Sequence, residues 1–234
     1  MRPIAILGGT FDPIHYGHLD IGRAASTSLG LTELLIIPSH IPPHRPPPFA
    51  SSYHRFAMVA LAIAGLGGWR VSDLELRQDA RSYTSATLQR LHAAGFTPLE
   101  LFFVIGADAF ADIATWNGYP ALLDRTHFAV VSRPGAAAAE LPGKLPSLAA
   151  RMIVGTGATA ADAPSIFLID RPTADVSSTA IRQRRAAGQS IAGLVPPAVQ
   201  QHIEQHGLYT ETRRPVDASE AREDRTAGRL HGEN

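Results

Sequence analysis

Two histidines three residues apart, His15 and His18, close the stretch Gly8-Gly9-Thr10-Phe11-Asp12-Pro13-Ile14-His15-Tyr16-Gly17-His18. At that spacing they share one face of a helical turn. Two imidazoles facing an anion the size of phosphate can donate hydrogen bonds to charge that develops in a transition state. Gly8 and Gly9 let backbone N–H groups approach such an anion closely. A helix N-terminus behind them adds unpaired N–H groups and the positive end of its dipole. The same two histidines could instead ligate a metal. The chain has no cysteine, and no acidic residue on that face completes a zinc site, so residue chemistry favours phosphate.

The elements that must position this loop are legible around it. Residues 4–7 are an apolar run that reads as a buried strand. Leu19, Ile21, Ala24, Ala25 and Leu29 fall at helical spacing. The loop is therefore a strand–loop–helix junction at the carboxyl end of a strand, where ligands bind in α/β sheets. Further strands are expected at residues 33–37, 69–76, 99–105, 127–131 and 166–169, with 99–105 central. Asp73 and Glu75 fall near the end of the third, as partners for Arg77 or Arg81. Helices are expected from Ser51 or Ser52 to about Gly65, from Ser82-Tyr83-Thr84 to Gly95, and from Pro196-Pro197 to Gly207. In the first of these Arg55 and Met58 read as structural. In the second Ser82 and Thr84 are N-cap types and Leu88 and Leu91 form the core face. Alternating strands and helices predict a layered sheet with right-handed crossovers. Residues 136–163, rich in Ala, Gly and Pro, read as an insert with one weak helix near 145–152. Residues 210–234 are polar and read as a flexible tail.

Other residues with chemical potential lie at the ends of these elements. The proline-rich run after residue 38 is either a rigid connector or a stiff loop presenting His44 and Arg45 to an anion. Gly106 permits close approach, Asp108 can cap a helix, accept from ribose hydroxyls or sit near Mg²⁺, and Trp116 offers a flat face for a pyridine ring. Ser177, Ser178 and Thr179 open a helix with Arg182 one turn inside it. That is a second phosphate site on the same principle, although ordinary caps look the same.

Bulk composition sets outer limits. The chain has 234 residues, 45% of them hydrophobic, with 21 basic and 21 acidic side chains. Zero net charge gives no global field toward nucleic acid or membrane. Lys144 is the only lysine. The absence of cysteine fits a reducing compartment. No secretory leader or run of transmembrane length stands out. A cytoplasmic protein is expected, with homo-oligomer formation left open.

The eleven-residue string resembles the signature loop of the HxGH nucleotidyltransferases, and in its full form most closely that of the bacterial nicotinate-nucleotide adenylyltransferases. The resemblance continues through Pro42-Pro43-His44-Arg45, Ser82-Tyr83-Thr84, Gly106-Ala107-Asp108 with Trp116, Arg133-Pro134-Gly135, and Ser177-Ser178-Thr179 with Arg182, covering residues 3–209. Two positions depart from it: Asn117, where several relatives have an aromatic residue, and His202, also usually aromatic. The resemblance implies a Rossmann-like α/β fold with a parallel sheet and a small C-terminal helical part, and a nucleotidyltransferase domain over residues 1–209. It implies adenylyl transfer from ATP to nicotinate mononucleotide, giving nicotinate adenine dinucleotide and pyrophosphate in NAD biosynthesis. His15, His18 and Arg182 would be catalytic. Gly8, Gly9, Thr10, Phe11, Arg133, Ser177, Ser178 and Thr179 would bind ATP. His44, Arg45, Thr84, Gly106, Asp108 and Trp116 would bind the mononucleotide. Mg²⁺ would be bridged by ATP phosphates, with no direct side-chain ligand. Three other readings compete. An adenylyltransferase for another acceptor is the nearest. A nucleotide sensor has no need of transition-state donors, and a dinucleotide oxidoreductase would need the G-x-G-x-x-G that is missing here.

Overall fold

The computed structural model describes residues 3–42, 46–77, 81–154 and 162–210. His44, Arg45 and residues 211–234 lie outside them. Seven parallel strands form one sheet in the order β3-β2-β1-β4-β5-β7-β6. They are β1 (Ile4–Gly9), β2 (Glu33–Pro38), β3 (Trp69–Val71), β4 (Leu101–Gly106), β5 (His127–Val131), β6 (Met152–Val154) and β7 (Ile166–Ile169). The α-helices are α1 (Tyr16–Leu29), α2 (Ser52–Ala62), α3 (Thr84–Ala93), α4 (Ala107–Phe110), α5 (Leu141–Lys144), α6 (Ser178–Ala186) and α7 (Pro197–Gln205).

The continuous apolar runs of β1, β4, β5 and β7 are explained by burial on both faces. Alternate residues feed two cores. Ala5, Leu7, Phe102, Val104, Ala129 and Val131 face one layer, with α1, α2 and α7. Ile4, Ile6, Phe103, Ile105, Phe128 and Val130 face the other, with Leu88 and Leu91 of α3. β4 is the fully buried middle strand, as its composition predicts. The chain leaves β1 for β2 and β3, then returns to the other side of β1 as β4. This reversal opens a crevice at the carboxyl ends of β1 and β4. Gly8 and Gly9 stand at one lip and Gly106 at the other.

Three elements differ from expectation. The strand expected over 69–76 stops at Val71. It is an edge strand paired only with β2, and the Ser72 hydroxyl accepts from Leu74 N–H at 3.2 Å, which turns the chain. Asp73 pairs with Arg77 at 2.8 Å, as expected of nearby charges. α3 has Tyr83 as its N-cap, without a side-chain cap bond, because Ser82 Oγ instead accepts from His40 N–H at 2.8 Å. In the 136–163 stretch the expected helix is a 3-10 helix, Pro146–Arg151, followed by the short edge strand β6. Three residues carry no readable alternation, so β6 had no signal of its own.

The turn into β3 supplies a test. Gly68 has φ +78°, and a Cβ there would collide with the Thr32 carbonyl, whereas a Cβ on Gly67 meets nothing within 4 Å. Gly68→Ala is expected to lower unfolding free energy by about 1–3 kcal/mol. Gly67→Ala should stay within about 0.5 kcal/mol of the parent. Thermal melts of the two variants check this.

Candidate active site

The glycine loop is held from below by a buried arginine. Arg55 is 1% exposed, and its guanidinium donates to the carbonyls of Ala50 (3.2 Å), Thr10 (2.8 Å), Ser39 (2.6 Å) and His40 (3.1 Å). It thereby ties the ends of β1 and β2 to the start of α2. Burial pulls its pKa down, while Asp12 and then Tyr209 and Glu75 push it back. Beside it, the buried Asp12 carboxylate accepts from Phe49 N–H (2.7 Å), Ala50 N–H (3.1 Å) and the Tyr209 hydroxyl (2.7 Å). Burial, and next the Asp12 charge, raise the Tyr209 pKa well above its ordinary value, so the phenol stays a donor.

With its ends fixed, the loop presents the two histidines. His15 is the N-cap of α1 and is 2% exposed; its backbone N–H donates to His18 Nδ1 at 3.3 Å. The rings stack at 3.8 Å between centroids and 28° between planes. The Phe11 ring meets His18 edge-on at 5.0 Å. Burial, with the Arg133 charge second, pushes the His15 pKa down to about 3. His15 is therefore a neutral imidazole at physiological pH, and its Nδ1 is buried without a hydrogen-bond partner. Phe11 itself is 1% exposed, so the loop can offer a ligand only this residue's backbone. Gly9 has no side chain because a Cβ would come within 2.9 Å of the Phe11 ring.

The second anchor folds onto the first. Arg182 of α6 donates to the Asp12 carbonyl at 2.7 Å, contacts Thr179 Oγ1 at 3.2 Å, and lies over the Phe49 ring at 4.7 Å. Ser178 Oγ donates to the Pro13 carbonyl at 2.9 Å. Ser177 Oγ accepts from Ala180 N–H at 3.1 Å, an ordinary N-cap. Ser177, Ser178, Thr179 and Arg182 are thus brought to the histidine loop: the Ser178 hydroxyl and Arg182 bond it, while the Ser177 hydroxyl caps α6. Arg133 donates to the Val176 carbonyl at 3.3 Å. A Cβ on Gly106 would fall 2.5 Å from Asp108 Oδ1 and 2.7 Å from Arg133 Cδ, so these three residues pack together at the end of β4.

The other lip is formed by the α3 N-terminus and the turn after α4. Trp116 is half-buried and edge-on to Phe103 at 6.2 Å and 88°. Ser85 Oγ bonds the Asn117 amide oxygen at 2.7 Å, which fastens this turn to the first turn of α3, next to Thr84. Asn117, the departure noted in the sequence, therefore has a structural partner. Glu75 lies inside this wall and accepts from Thr87 Oγ1; burial raises its pKa, against hydrogen bonds from Ser82 and Thr87. Sequence reasoning gave no role to Asp12, Phe49 or Tyr209. Asp12 could have been found, as an acid inside an otherwise apolar loop motif. Tyr209 carried no signal, because its partner is 197 residues away.

A switch-point crevice with a glycine lip, stacked imidazoles and two arginines defines a phosphate-handling α/β protein of the nucleotidyltransferase kind. The cytidylyltransferase-like family matches residues 6–184. A Yersinia pestis chain named as nicotinate-nucleotide adenylyltransferase is 40% identical over 207 residues, 88% of this chain and 94% of that one. A Pseudomonas entomophila chain of the same name is 42% identical over 210 residues, 89% and 95% of the two chains. The chain belongs to the nicotinate-nucleotide adenylyltransferase family. The solved nicotinic acid mononucleotide adenylyltransferase of Plasmodium falciparum, complexed with NaAD, shares the fold with a TM-score of 0.69. It is 20% identical, covering 90% of this chain and 98% of that one.

The neutral state of His15 has a measurable consequence. The unfolded chain takes up a proton there near pH 6.5, whereas the folded protein does so only near 3. Stability is therefore full above 6.5 and is lost as the pH falls toward 3, by about 1.4 kcal/mol per pH unit from this group. His15→Asn should remove that component from the pH dependence of denaturant unfolding. An imidazole NMR titration that protonated His15 near pH 6.5 would contradict the assignment.

Proposed function

We propose that this protein transfers the adenylyl group of ATP to nicotinate mononucleotide, releasing pyrophosphate and forming nicotinate adenine dinucleotide. The observation that carries the reading is the stacked His15–His18 pair on the glycine loop at the β1/β4 crevice, with Arg182 reaching the same loop. The chemistry needs no protein nucleophile. The mononucleotide phosphate attacks the α-phosphorus in line, and the protein supplies position and charge neutralisation. His15, neutral and fixed by burial, and His18 donate to the phosphoryl oxygens in the transition state. Gly8, Gly9 and Thr10 receive phosphate on the backbone. Arg182 and the N-terminus of α6 at Ser177–Thr179 hold the outgoing pyrophosphate end, and Arg133 borders the adenosine. Gly106 and Asp108 hold the acceptor's ribose, Trp116 its ring. Thr84 and the α3 N-terminus, which no side chain caps, receive the pyridine carboxylate. His44 and Arg45 would flank the phosphates. Residues 1–209 make up this catalytic unit.

Divalent metal fits the donor set in one way. Both Asp12 oxygens are already bonded to protein donors, so it is not a ligand. Mg²⁺ would be held by the phosphate oxygens of ATP, where it neutralises charge on the leaving pyrophosphate.

Pyrophosphate release with ATP and Mg²⁺ should be strong with nicotinate mononucleotide, weaker with its amide and absent with phosphopantetheine. Equal use of acid and amide would overturn the carboxylate site at Thr84. His18→Ala should lower kcat about 10²–10³-fold while ATP binding, measured by calorimetry, persists. Trp116→Ala should raise KM for the mononucleotide far more than that for ATP; equal effects would refute the ring pocket.

A further inference from the structure

On the outer face of the fold, where α2 packs against α7, three histidines converge. His54 Nδ1 lies 3.1 Å from His202 Nε2. The ring centroids of His54 and His206 are 4.9 Å apart, and those of His202 and His206 4.2 Å. One nitrogen from each ring can be chosen so that all three lie within 4.8 Å of one another. A tetrahedral ion with metal–nitrogen bonds of about 2.0–2.1 Å needs its ligand nitrogens roughly 3.3–3.4 Å apart. The His54–His202 pair already has nearly that separation, and His206 is exposed and able to turn in.

We propose that His54, His202 and His206 form a binding site for a divalent transition-metal ion of the zinc class. The supporting details are those of a ligand set. His206 Nδ1 lies 2.9 Å from the His202 carbonyl, so it carries the proton and leaves Nε2 its lone pair. A ring N–H held on a backbone carbonyl is the usual way to fix a ligating tautomer. Burial, with His206 second, lowers the pKa of both His54 and His202, so both rings are neutral, and a shift of the one proton in their 3.1 Å hydrogen bond to that ring's outer nitrogen turns both facing lone pairs toward an ion. His202 lies in α7 and His206 caps its end four residues on, the spacing at which two imidazoles reach one ion. Three nitrogen ligands select zinc, nickel or copper over Mg²⁺, which prefers oxygen. The site is thus separate in place and in chemistry from the metal that accompanies ATP. With three protein ligands, the fourth position is open to water or an exogenous donor.

Such an ion would clasp two elements that secure the active loop. His54 is adjacent to Arg55, and α7 leads directly to Tyr209. The metal would therefore stabilise the loop scaffold without touching substrate.

The test uses the full chain, freed of metal by chelator and titrated with Zn²⁺ against a chromophoric chelator. One equivalent should bind, Co²⁺ should give the visible bands of a tetrahedral nitrogen site, and Tm should rise by about 5–10 °C at zinc 100-fold above Kd. His206→Ala, at an exposed position, and His202→Tyr should each weaken zinc binding about 100-fold with unchanged circular dichroism. His18→Ala should leave it intact. Absence of a stoichiometric zinc equivalent, or binding that survives His206→Ala and vanishes in His18→Ala, would overturn the proposal.

Discussion

The structure depends on one buried constraint, the anchoring of the Asp12 carboxylate and the Arg55 guanidinium, which grip the N–H and the carbonyl of Ala50. Neither can be left without partners away from water. Asp12 is satisfied by two backbone N–H groups from the turn into α2 and a phenol from the end of the described chain. Arg55 is satisfied by four carbonyls drawn from the ends of β1 and β2 and the turn into α2. Between them they hold the backbone on either side of the glycine loop. Everything the loop presents to a ligand follows from this anchoring. The His15–His18 stack, the position of α6 and the reach of Arg182 all begin from residues that these two side chains fix.

That rigidity suits a reaction in which the protein makes no covalent bond. A phosphoryl group moving between two oxygens gains from donors that are already aimed and need not reorganise. Burial does two things for His15 at once: it fixes the ring, and it keeps the ring neutral beside Arg133. The charge at this side of the crevice comes from Arg133 and Arg182, and the neutral imidazole is held in one orientation. The opposite lip is built differently. There the Ser85–Asn117 bond and the Phe103–Trp116 contact fasten a turn to a helix end, giving a wall with a flat ring and a helix N-terminus instead of a cluster of cations.

Much of this was legible in the sequence because it rests on local patterns. The apolar runs of β1, β4, β5 and β7 announce strands buried on both faces, and the glycine loop and the helix openings at Tyr83 and Ser177 carry their own signatures. The weaker readings share a physical cause. β3 is shortened by its position at the sheet edge, which composition does not encode. β6 has three residues, too few for periodicity. Ser82 looked like a cap, but its hydroxyl is taken by a distant backbone N–H at His40. Asp12 and Tyr209 meet only in three dimensions. The sequence therefore carried the loops and helix ends that meet at the crevice far better than the buried groups that hold them in place.

The bond between Tyr209 and Asp12 also orders events in time. The glycine loop is synthesised well before α7, and one of the three donors that satisfy its buried acid is 197 residues further on. The sheet and both layers can collapse earlier, on contacts made as each βα unit emerges. The loop itself cannot reach its final state until α7 has been synthesised and docked. Until then the Asp12 carboxylate has two of its three donors and leaves the third place to water. The last hydrogen bond of the loop scaffold is therefore made in a late step, after α7 has joined the fold.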